Sequence, residues 1–478
     1  MKKKTTIFYL VDGARYDMMK DLLEAGELPN VQNHILNQGT FRKATSCFPS
    51  TTGPAYLPHL TGCFPGTSDI TGIRWFDKKE FRRKRFNKMA MRSYCGPEAA
   101  WFNTDMPTDR PTLHELLGNT YNIFSMITRN IPEERDLAKK GKSGLYIRAH
   151  FLHQHTPVDE AAHHHLMRGL DLDPSFIFTV FPCVDWNSHT YQPQSEQTIE
   201  SYRFMDKSVG ESVAKLKKLG KWEDTLFVIT SDHGLTATNH HFDLAKYFSQ
   251  KGLKALQYPT IFTIRPKTAV MISGNSFGAV HFLHHEGSEV LRGEAVQNAM
   301  GEATWKDLIQ QAAIDFVTWR GTYNDYWVES KKGRAQIKNR PEGLSYHPQT
   351  GDPFDFGLMD RPMDQQQALE ATFDSDYPDA LVQIAQLFKS RRAGDLVVGA
   401  ANGYDLRDTW EYPEHRGSHG SLCKEHMHVP FIYNQVGWDP RPARTADIFN
   451  SICAWMGVEV PHATDGRSLC QTTKKALL

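Results

Sequence analysis

Aspartate and histidine stand together at widely separated places in this 478-residue chain. Asp185-Trp186-Asn187-Ser188-His189 spaces a carboxylate and an imidazole so that one helical turn sets both on the same face. Asp232-His233-Gly234 follows the apolar run Thr225–Thr230. Gly417-Ser418-His419-Gly420 sets a third His among glycines, which let backbone approach a ligand closely. Carboxylate and neutral imidazole together suit zinc, and also manganese or iron. Taken singly, each has a plain structural reading. An Asp after a strand caps the next helix, and a single His sits exposed.

Their combination is more specific. Asp12, Asp185 and Asp232 each fall at or just past the end of a buried apolar run. Adjacent parallel strands would bring them to one place. Three clustered carboxylates repel one another unless cations neutralise them. Two divalent cations meet that need. They also offer a polarised phosphoryl oxygen, a lowered hydroxyl pKa and a clamp on entering and leaving oxygens. Thr52 supplies a hydroxyl that a metal can activate without a separate base. A helical pattern runs from Pro54 to Leu60, so Thr52 is expected at the helix N-cap with Pro54 in the first turn. A helix N-terminus there favours an anion.

The elements that must position these residues read as α/β. Thr5–Val11, Phe176–Phe181 and Thr225–Thr230 are β-branched and apolar throughout, as in buried parallel strands. Helical patterns cover 15–24, 30–36, 194–219 and 443–455, and 429–433 reads as a returning strand. The expected fold is a doubly wound, mostly parallel sheet sandwiched by helices, with inserted α+β cap regions. A catalytic core is expected over 1–255 and 411–478, with an insert at about 75–160. A second inserted α+β region spans 256–410, with short strands at 261–264, 269–272, 280–283 and 395–400. Much of 330–376 is polar and rich in Gly and Pro, and Asn402–Asp405 reads as a turn.

Composition excludes several classes. Lys plus Arg and Asp plus Glu each number 55, and no long basic stripe exists, so no nucleic-acid surface is evident. The basic run from Lys78 to Arg85 reads as a solvated face. Seven dispersed cysteines without CxxC pairing argue for a reducing compartment, and the chain is expected to be cytoplasmic. No apolar window is long enough to span a membrane. A chain of this length builds its core without a metal staple, so a metal serves chemistry. Homo-oligomerisation stays open.

The residues in order resemble the alkaline phosphatase superfamily, particularly its nucleotide pyrophosphatase/phosphodiesterase branch. That branch carries an Asp after the first strand, Thr-x-Pro leading into a helix that ends in Thr-Gly, Asp-x-x-x-His, Asp-His-Gly and a late Gly-x-His-Gly. Here these are Asp12, Thr52-Gly53-Pro54 with Thr61-Gly62, Asp185 with His189, Asp232-His233-Gly234 and His419. Arg444-Thr445-Ala446-Asp447-Ile448 and Asp465-Gly466-Arg467-Ser468-Leu469 resemble the superfamily's C-terminal signature. The resemblance covers about 1–75, 175–240 and 415–470. It implies one metal on Asp185, His189 and His419, and a second on Asp12, Asp232 and His233. It implies a small-molecule phosphodiester or related phosphate ester as substrate, hydrolysed by double displacement through a phospho-threonine on Thr52.

Two departures narrow what carries over. Where the branch often has Asn after Thr-x-Pro, this chain has Ala55, so that phosphoryl donor is either missing or supplied by another residue. Cys47-Phe48-Pro49-Ser50 resembles the start of a sulfatase motif. Thr51 stands where that motif has Arg, and in both families the nucleophile lies nine positions before the Thr of Thr-Gly, which selects Thr52 over Cys47 and its neighbour Thr51. Phosphate mutase or phosphotransferase chemistry of the same superfamily is the alternative reaction, ahead of a sulfatase-like one. Arg74 and Trp75 are candidates to line a leaving-group pocket, with packing of Trp75 as the other reading. His426 or His428 is a candidate support for the site, and His240-His241 marks either such support or a helix start. His163-His164-His165 reads as solvated.

Overall fold

The computed structural model describes residues 3–84, 90–259, 262–285, 290–407 and 414–470. Its centre is a seven-stranded sheet with Thr5–Val11 between Phe176–Phe181 and Thr225–Thr230. Both neighbours run parallel to it, Leu10 pairing with Val180 on one side and Thr230 on the other. Thr120–Ile123 extends the sheet in parallel beyond Phe176–Phe181. On the other flank His428–Tyr433 runs antiparallel to both Thr225–Thr230 and Thr40–Thr45. The three central strands are buried along their whole length, which is why they read as continuous apolar runs instead of alternating ones.

Side chains of the first strand leave the sheet on alternate faces and find helices on both. Tyr9 Oη lies 3.0 Å from Ser208 Oγ and 2.9 Å from Ser212 Oγ of the helix Glu196–Lys218. Phe8, pointing the other way, meets His59 of Leu57–Thr61 edge-on at 5.5 Å. The sandwich expected from the sequence is therefore present. The stretch at about 75–160, read as an insert, contributes the edge strand Thr120–Ile123 to this central sheet.

A second sheet of nine strands occupies the later region. It runs from Met359–Met363 through Gly343–Gly351, Gly333–Arg340, Asp325–Ser330, Ile314–Arg320, Leu396–Ala400, Phe277–Phe282 and Thr268–Ser273 to Ala255–Leu256. Its pairs are antiparallel except the last. Strands fall where 269–272, 280–283 and 395–400 were expected. The Gly- and Pro-rich stretch after 330, read as part of an inserted α+β region, forms strands here, and its glycines Gly333, Gly343 and Gly351 sit inside hairpins. A Cβ on Gly343 would lie 2.3 Å from Met363 O, so glycine permits a close strand approach there.

Three smaller readings also change. Of the expected strand 261–264, Ile261 lies outside the described residues, and Phe262 and Ile264 are exposed and lie in no strand. Gly403–Asp405 is a short strand alongside Thr236–His241, not a turn. His240 and His241 end that strand, and the next helix begins later, at Leu244, capped by Asp243. Within the basic run, Lys78–Arg83 is a helix and Arg85 lies outside the described residues.

Candidate active site

Each expected residue reaches the carboxyl end of the central sheet by a short local device. Asp12 follows Thr5–Val11 directly, and its N–H bonds Phe181 O at 3.0 Å. Gly13 then turns with φ +75°, and a Cβ there would stand 2.9 Å from Cα and Cβ of Asp185. Glycine is what lets the two segments close. Asp185 and His189 lie on the helix Cys183–Tyr191, as their spacing required. Asp232 and His233 follow Thr225–Thr230, and the loop is braced by Gly234 N–H donating to His426 O at 2.9 Å. His426 also has Nε2 2.9 Å from Thr236 Oγ1, so it supports the loop. His428 turns away to Phe373 O.

The groups converge. Asp12, Asp232 and His233 offer ligand atoms within 4.8 Å of one another, and so do Asp185, His233 and His419. The rings of His233 and His419 stack at 3.7 Å and 8°. His189 Nε2 comes within 3.3 Å of Asp185 Oδ1, although His189 joins neither of those two groups. All the carboxylates and both stacked imidazoles are buried.

The hydrogen bonds set the histidine tautomers. Nδ1 of His189 lies 2.7 Å from Gly417 O, Nδ1 of His233 lies 3.1 Å from Gly234 O, and Nδ1 of His419 lies 2.9 Å from Ser50 O. A carbonyl only accepts, so each Nδ1 carries the proton and each Nε2 of a neutral ring keeps its lone pair. Those lone pairs face carboxylates: His233 Nε2 is 3.2 Å from Asp232 Oδ2, and His419 Nε2 is 3.9 Å from Asp185 Oδ1. Asp185 Oδ1 and Asp232 Oδ2 are buried without an aligned hydrogen bond. Lone pair against lone pair is unfavourable unless a cation lies between them, so this donor set fits divalent metal ions.

Electrostatics say the same. Burial first, then Asp232 and Asp185, push the Asp12 carboxyl well above the usual carboxylate range. Burial also raises Asp232. Asp185 moves down: burial opposes the shift, but His189, His419 and His233 outweigh it. Burial and then His233 hold His419 well below the usual imidazole value.

Thr52 sits inside this cage. Its Oγ1 is 3.3 Å from Asp12 Oδ1 and 3.0 Å from His233 Nε2. It is not a helix N-cap, which corrects the sequence reading. The first helical turn is Pro54–Tyr56, and its N-cap is Gly53 at φ +89°, with no side-chain cap bond. The glycine turn leaves the hydroxyl free to face the carboxylates. The rivals are elsewhere: Cys47 is fully buried in an apolar cluster with Phe48 and Phe277, and Thr51 Oγ1 is buried with no hydrogen-bond partner among the described residues.

Other candidates fall outside the cage. Ala55 packs in the same apolar cluster as Cys47. Trp75 is buried, donates to Tyr94 Oη at 2.9 Å and lies beneath Arg392 at 4.0 Å, so packing is its role here. Arg74 is half-buried on the same short strand, with Nε near Ser93 Oγ. His163 is engaged by Ser208 and Glu211.

Three residues that sequence reasoning passed over do belong to the site. Tyr56 donates to Asp12 Oδ2 at 2.6 Å. His415 lies with its ring 4.4 Å from that of His189, and Asn275 Nδ2 stands 3.0 Å from His415 Nδ1. Tyr56 and His415 lie four positions from Thr52 and His419, a spacing that would have found them. Asn275 arrives from a hairpin of the second sheet, and nothing local announces it.

Comparison with known proteins agrees with this constellation. Residues 6–422 match the family model described as type I phosphodiesterase / nucleotide pyrophosphatase. Mouse bis(5'-adenosyl)-triphosphatase enpp4 is 22% identical over 270 residues, 54% of this chain and 54% of the mouse protein. Human bis(5'-adenosyl)-triphosphatase ENPP4 is 23% identical over 236 residues, 47% of this chain and 46% of the human protein. GPI ethanolamine phosphate transferase 1 of Candida glabrata is 20% identical over 219 residues, 45% of this chain and 22% of that protein. The chain thus spans about half the length of the bis(5'-adenosyl)-triphosphatases it matches. With one family model covering most of its length, the chain belongs to the type I phosphodiesterase / nucleotide pyrophosphatase family.

Proposed function

We propose that the chain is a two-metal hydrolase of phosphodiesters or related phosphate esters, working through a phospho-threonine on Thr52. The observation that carries this reading is the Thr52 hydroxyl between Asp12 Oδ1 and His233 Nε2, at 3.3 and 3.0 Å. Asp185, His189 and His419 would hold one ion, and Asp12, Asp232 and His233 the other. The family uses two metal ions. Zinc suits this carboxylate and imidazole set, with manganese or iron as alternatives. Bound there, two divalent ions neutralise the carboxylates, polarise the phosphoryl group and lower a hydroxyl pKa. Thr52 Oγ1 forms the bond to phosphorus while the leaving oxygen departs with its electron pair. Water then takes the phosphoryl group from Thr52. Tyr56 holds Asp12 in place by its hydrogen bond. Ala55 offers no amide to the phosphoryl group, so specificity rests on other residues.

The test is purified protein with bis-p-nitrophenyl phosphate and p-nitrophenyl phosphate, before and after EDTA dialysis. Activity requires the metal, returns with zinc or manganese and is lost in Thr52→Ala. Activity that survives both treatments sinks the reading. The relatives named bis(5'-adenosyl)-triphosphatase make dinucleoside polyphosphates the first natural substrates to try. The Candida glabrata phosphate transferase supports a second reading, in which an acceptor alcohol takes the phosphoryl group instead of water. Product analysis separates the two. A cytoplasmic location is part of this proposal, and the seven cysteines, none of which forms a disulfide among the described residues, accord with it. Among the described residues no helix is long and apolar enough to cross a membrane.

A further inference from the structure

A phosphoryl group within reach of Thr52 carries negative oxygens, and its transfer is helped by a hydrogen-bond donor fixed beside them. The side chains of the nucleophile turn do not supply one. Ala55 has no polar atom and packs in an apolar cluster. Thr51 Oγ1 is enclosed by the protein. The Tyr56 hydroxyl is committed to Asp12 Oδ2 at 2.6 Å.

A second phenol near the cage is uncommitted. Tyr146 lies half-buried on the helix Lys142–Leu152, and its hydroxyl makes no hydrogen bond among the described residues. Its ring is held on three sides. It meets Trp186 edge-on at 5.1 Å and Phe124 at 5.7 Å, and Lys142 Nζ lies 5.2 Å over it. Trp186 follows Asp185 directly, and His150, one turn after Tyr146, meets the same indole at 4.9 Å. The helix of Tyr146 is thus fastened to the helix that carries Asp185 and His189. A second fastening leads to the nucleophile. Lys142 Nζ donates to Phe124 O at 3.1 Å, and two residues further on Met126 Sδ would stand 3.0 Å from a Cβ on Gly53. Burial first and Asp12 next push the Tyr146 phenol up. Burial, Asp12 and Asp232 do the same to Tyr56, and Tyr146 adds to them. Asp12, Tyr56 and Tyr146 therefore share one electrostatic neighbourhood, in which Tyr146 is the phenol left to donate.

We propose that the Tyr146 hydroxyl is a catalytic donor, giving its hydrogen bond to a non-bridging oxygen of the phosphoryl group as Thr52 attacks. This rests on the phosphoester reading above. The bond from Thr52 Oγ1 to phosphorus forms while the bond from phosphorus to the leaving oxygen breaks, and that oxygen departs with the electron pair. The non-bridging oxygens swing from a tetrahedral to a planar arrangement, and the phenol, which keeps its proton throughout, is aligned with the planar one. Packing against Trp186 and Phe124 aims the hydroxyl before the substrate arrives, so no reorganisation is needed at the moment of reaction.

The experiment uses the full-length protein supplied with zinc, as wild type and Tyr146→Phe. Phenylalanine keeps the ring against Trp186 and Phe124 and removes the hydroxyl alone. On bis-p-nitrophenyl phosphate kcat falls roughly 100-fold with little change in KM, because a donor to the transition state is lost. Orthovanadate takes up the five-coordinate geometry of the transfer, and its inhibition constant rises by a similar factor in the variant. Unchanged kcat and unchanged orthovanadate inhibition overturn the proposal and leave the phosphoester reading standing. A fall in kcat with unchanged orthovanadate inhibition marks a packing role and also overturns it, as does a loss confined to KM. If the wild type turns over no phosphate ester, the phosphoester reading fails by itself. Calorimetric orthovanadate binding then decides this one: weaker binding to Tyr146→Phe supports it, and equal or absent binding overturns it.

Discussion

Charge is buried in two regions of this molecule, and the two treat it oppositely. Around the second sheet three buried charges are saturated by the protein. Asp379 receives Arg444 on both oxygens at 2.7 Å. Asp395 accepts Lys78 Nζ at 2.6 Å and the N–H groups of Phe282 and Leu291 at 2.7 Å. Arg320 donates to the carbonyls of Phe388, Ser390 and Gly394. At the end of the central sheet, Asp12, Asp185 and Asp232 share three histidines whose Nε2 lone pairs face carboxylate oxygens. The first arrangement is complete and serves the fold. The second is complete only with a ligand, and it lies where adjacent parallel strands end, which is where α/β proteins work.

The comparison can be broken or sharpened experimentally. The largest effect is on activity: Thr52→Ala lowers kcat by about ten-thousand-fold or more in steady-state assays, with little change in thermal midpoint. A comparable loss of stability would make Thr52 part of the scaffold. Next, Asp379→Ala strands the buried Arg444 and destabilises the protein by about 3–5 kcal/mol in chemical denaturation. The residual folded enzyme retains its kcat. Were Asp379→Ala instead to abolish activity in folded protein, the two regions would not be separable.

A third test concerns Asp159, a buried carboxylate outside the cage that accepts a single N–H, from Cys183 at 3.3 Å. Burial raises its pKa to about 7. The folded state therefore holds a proton that the unfolded state releases near pH 4. This contribution is full below pH 4 and is lost as pH rises towards 7. Asp159→Asn flattens that slope and adds up to about 4 kcal/mol at pH 8, on the scale of roughly 1.4 kcal/mol per pKa unit. A slope identical to wild type would contradict this. The smallest effect is the most diagnostic. In EDTA-dialysed protein, Asp12→Asn raises the thermal midpoint by about 1 kcal/mol equivalent, because one of three repelling carboxylates is neutralised. With zinc restored, the same substitution lowers the midpoint. A decrease under both conditions would mean that Asp12 is saturated like Asp379.

Much of this was legible in the chain. The three central strands are buried on both faces, so their apolar runs marked them end to end, and the Asp that closes or follows each was visible at once. The Asp185–His189 spacing required a helical turn and received one. The second sheet was less legible. Its outer strands alternate buried and half-exposed residues, and glycines such as Gly343 serve close strand approach where the eye reads loop. Thr52 was misplaced by one residue in its local role, because Gly53 can adopt a positive φ and take the N-cap.

By itself the sequence determined which side chains are able to bind a metal or attack phosphorus, and which strand ends carry them, because burial and helix period act locally. Only the tertiary structure decided that they meet. Parallel register aligns strands more than a hundred residues apart, and Gly13 lets Asp12 and Asp185 close. Carbonyls of Ser50, Gly234 and Gly417 choose the tautomer of each imidazole. The second sheet brings Asn275 to His415. Those are relations between segments, and a lone pair has a direction only once the chain has folded.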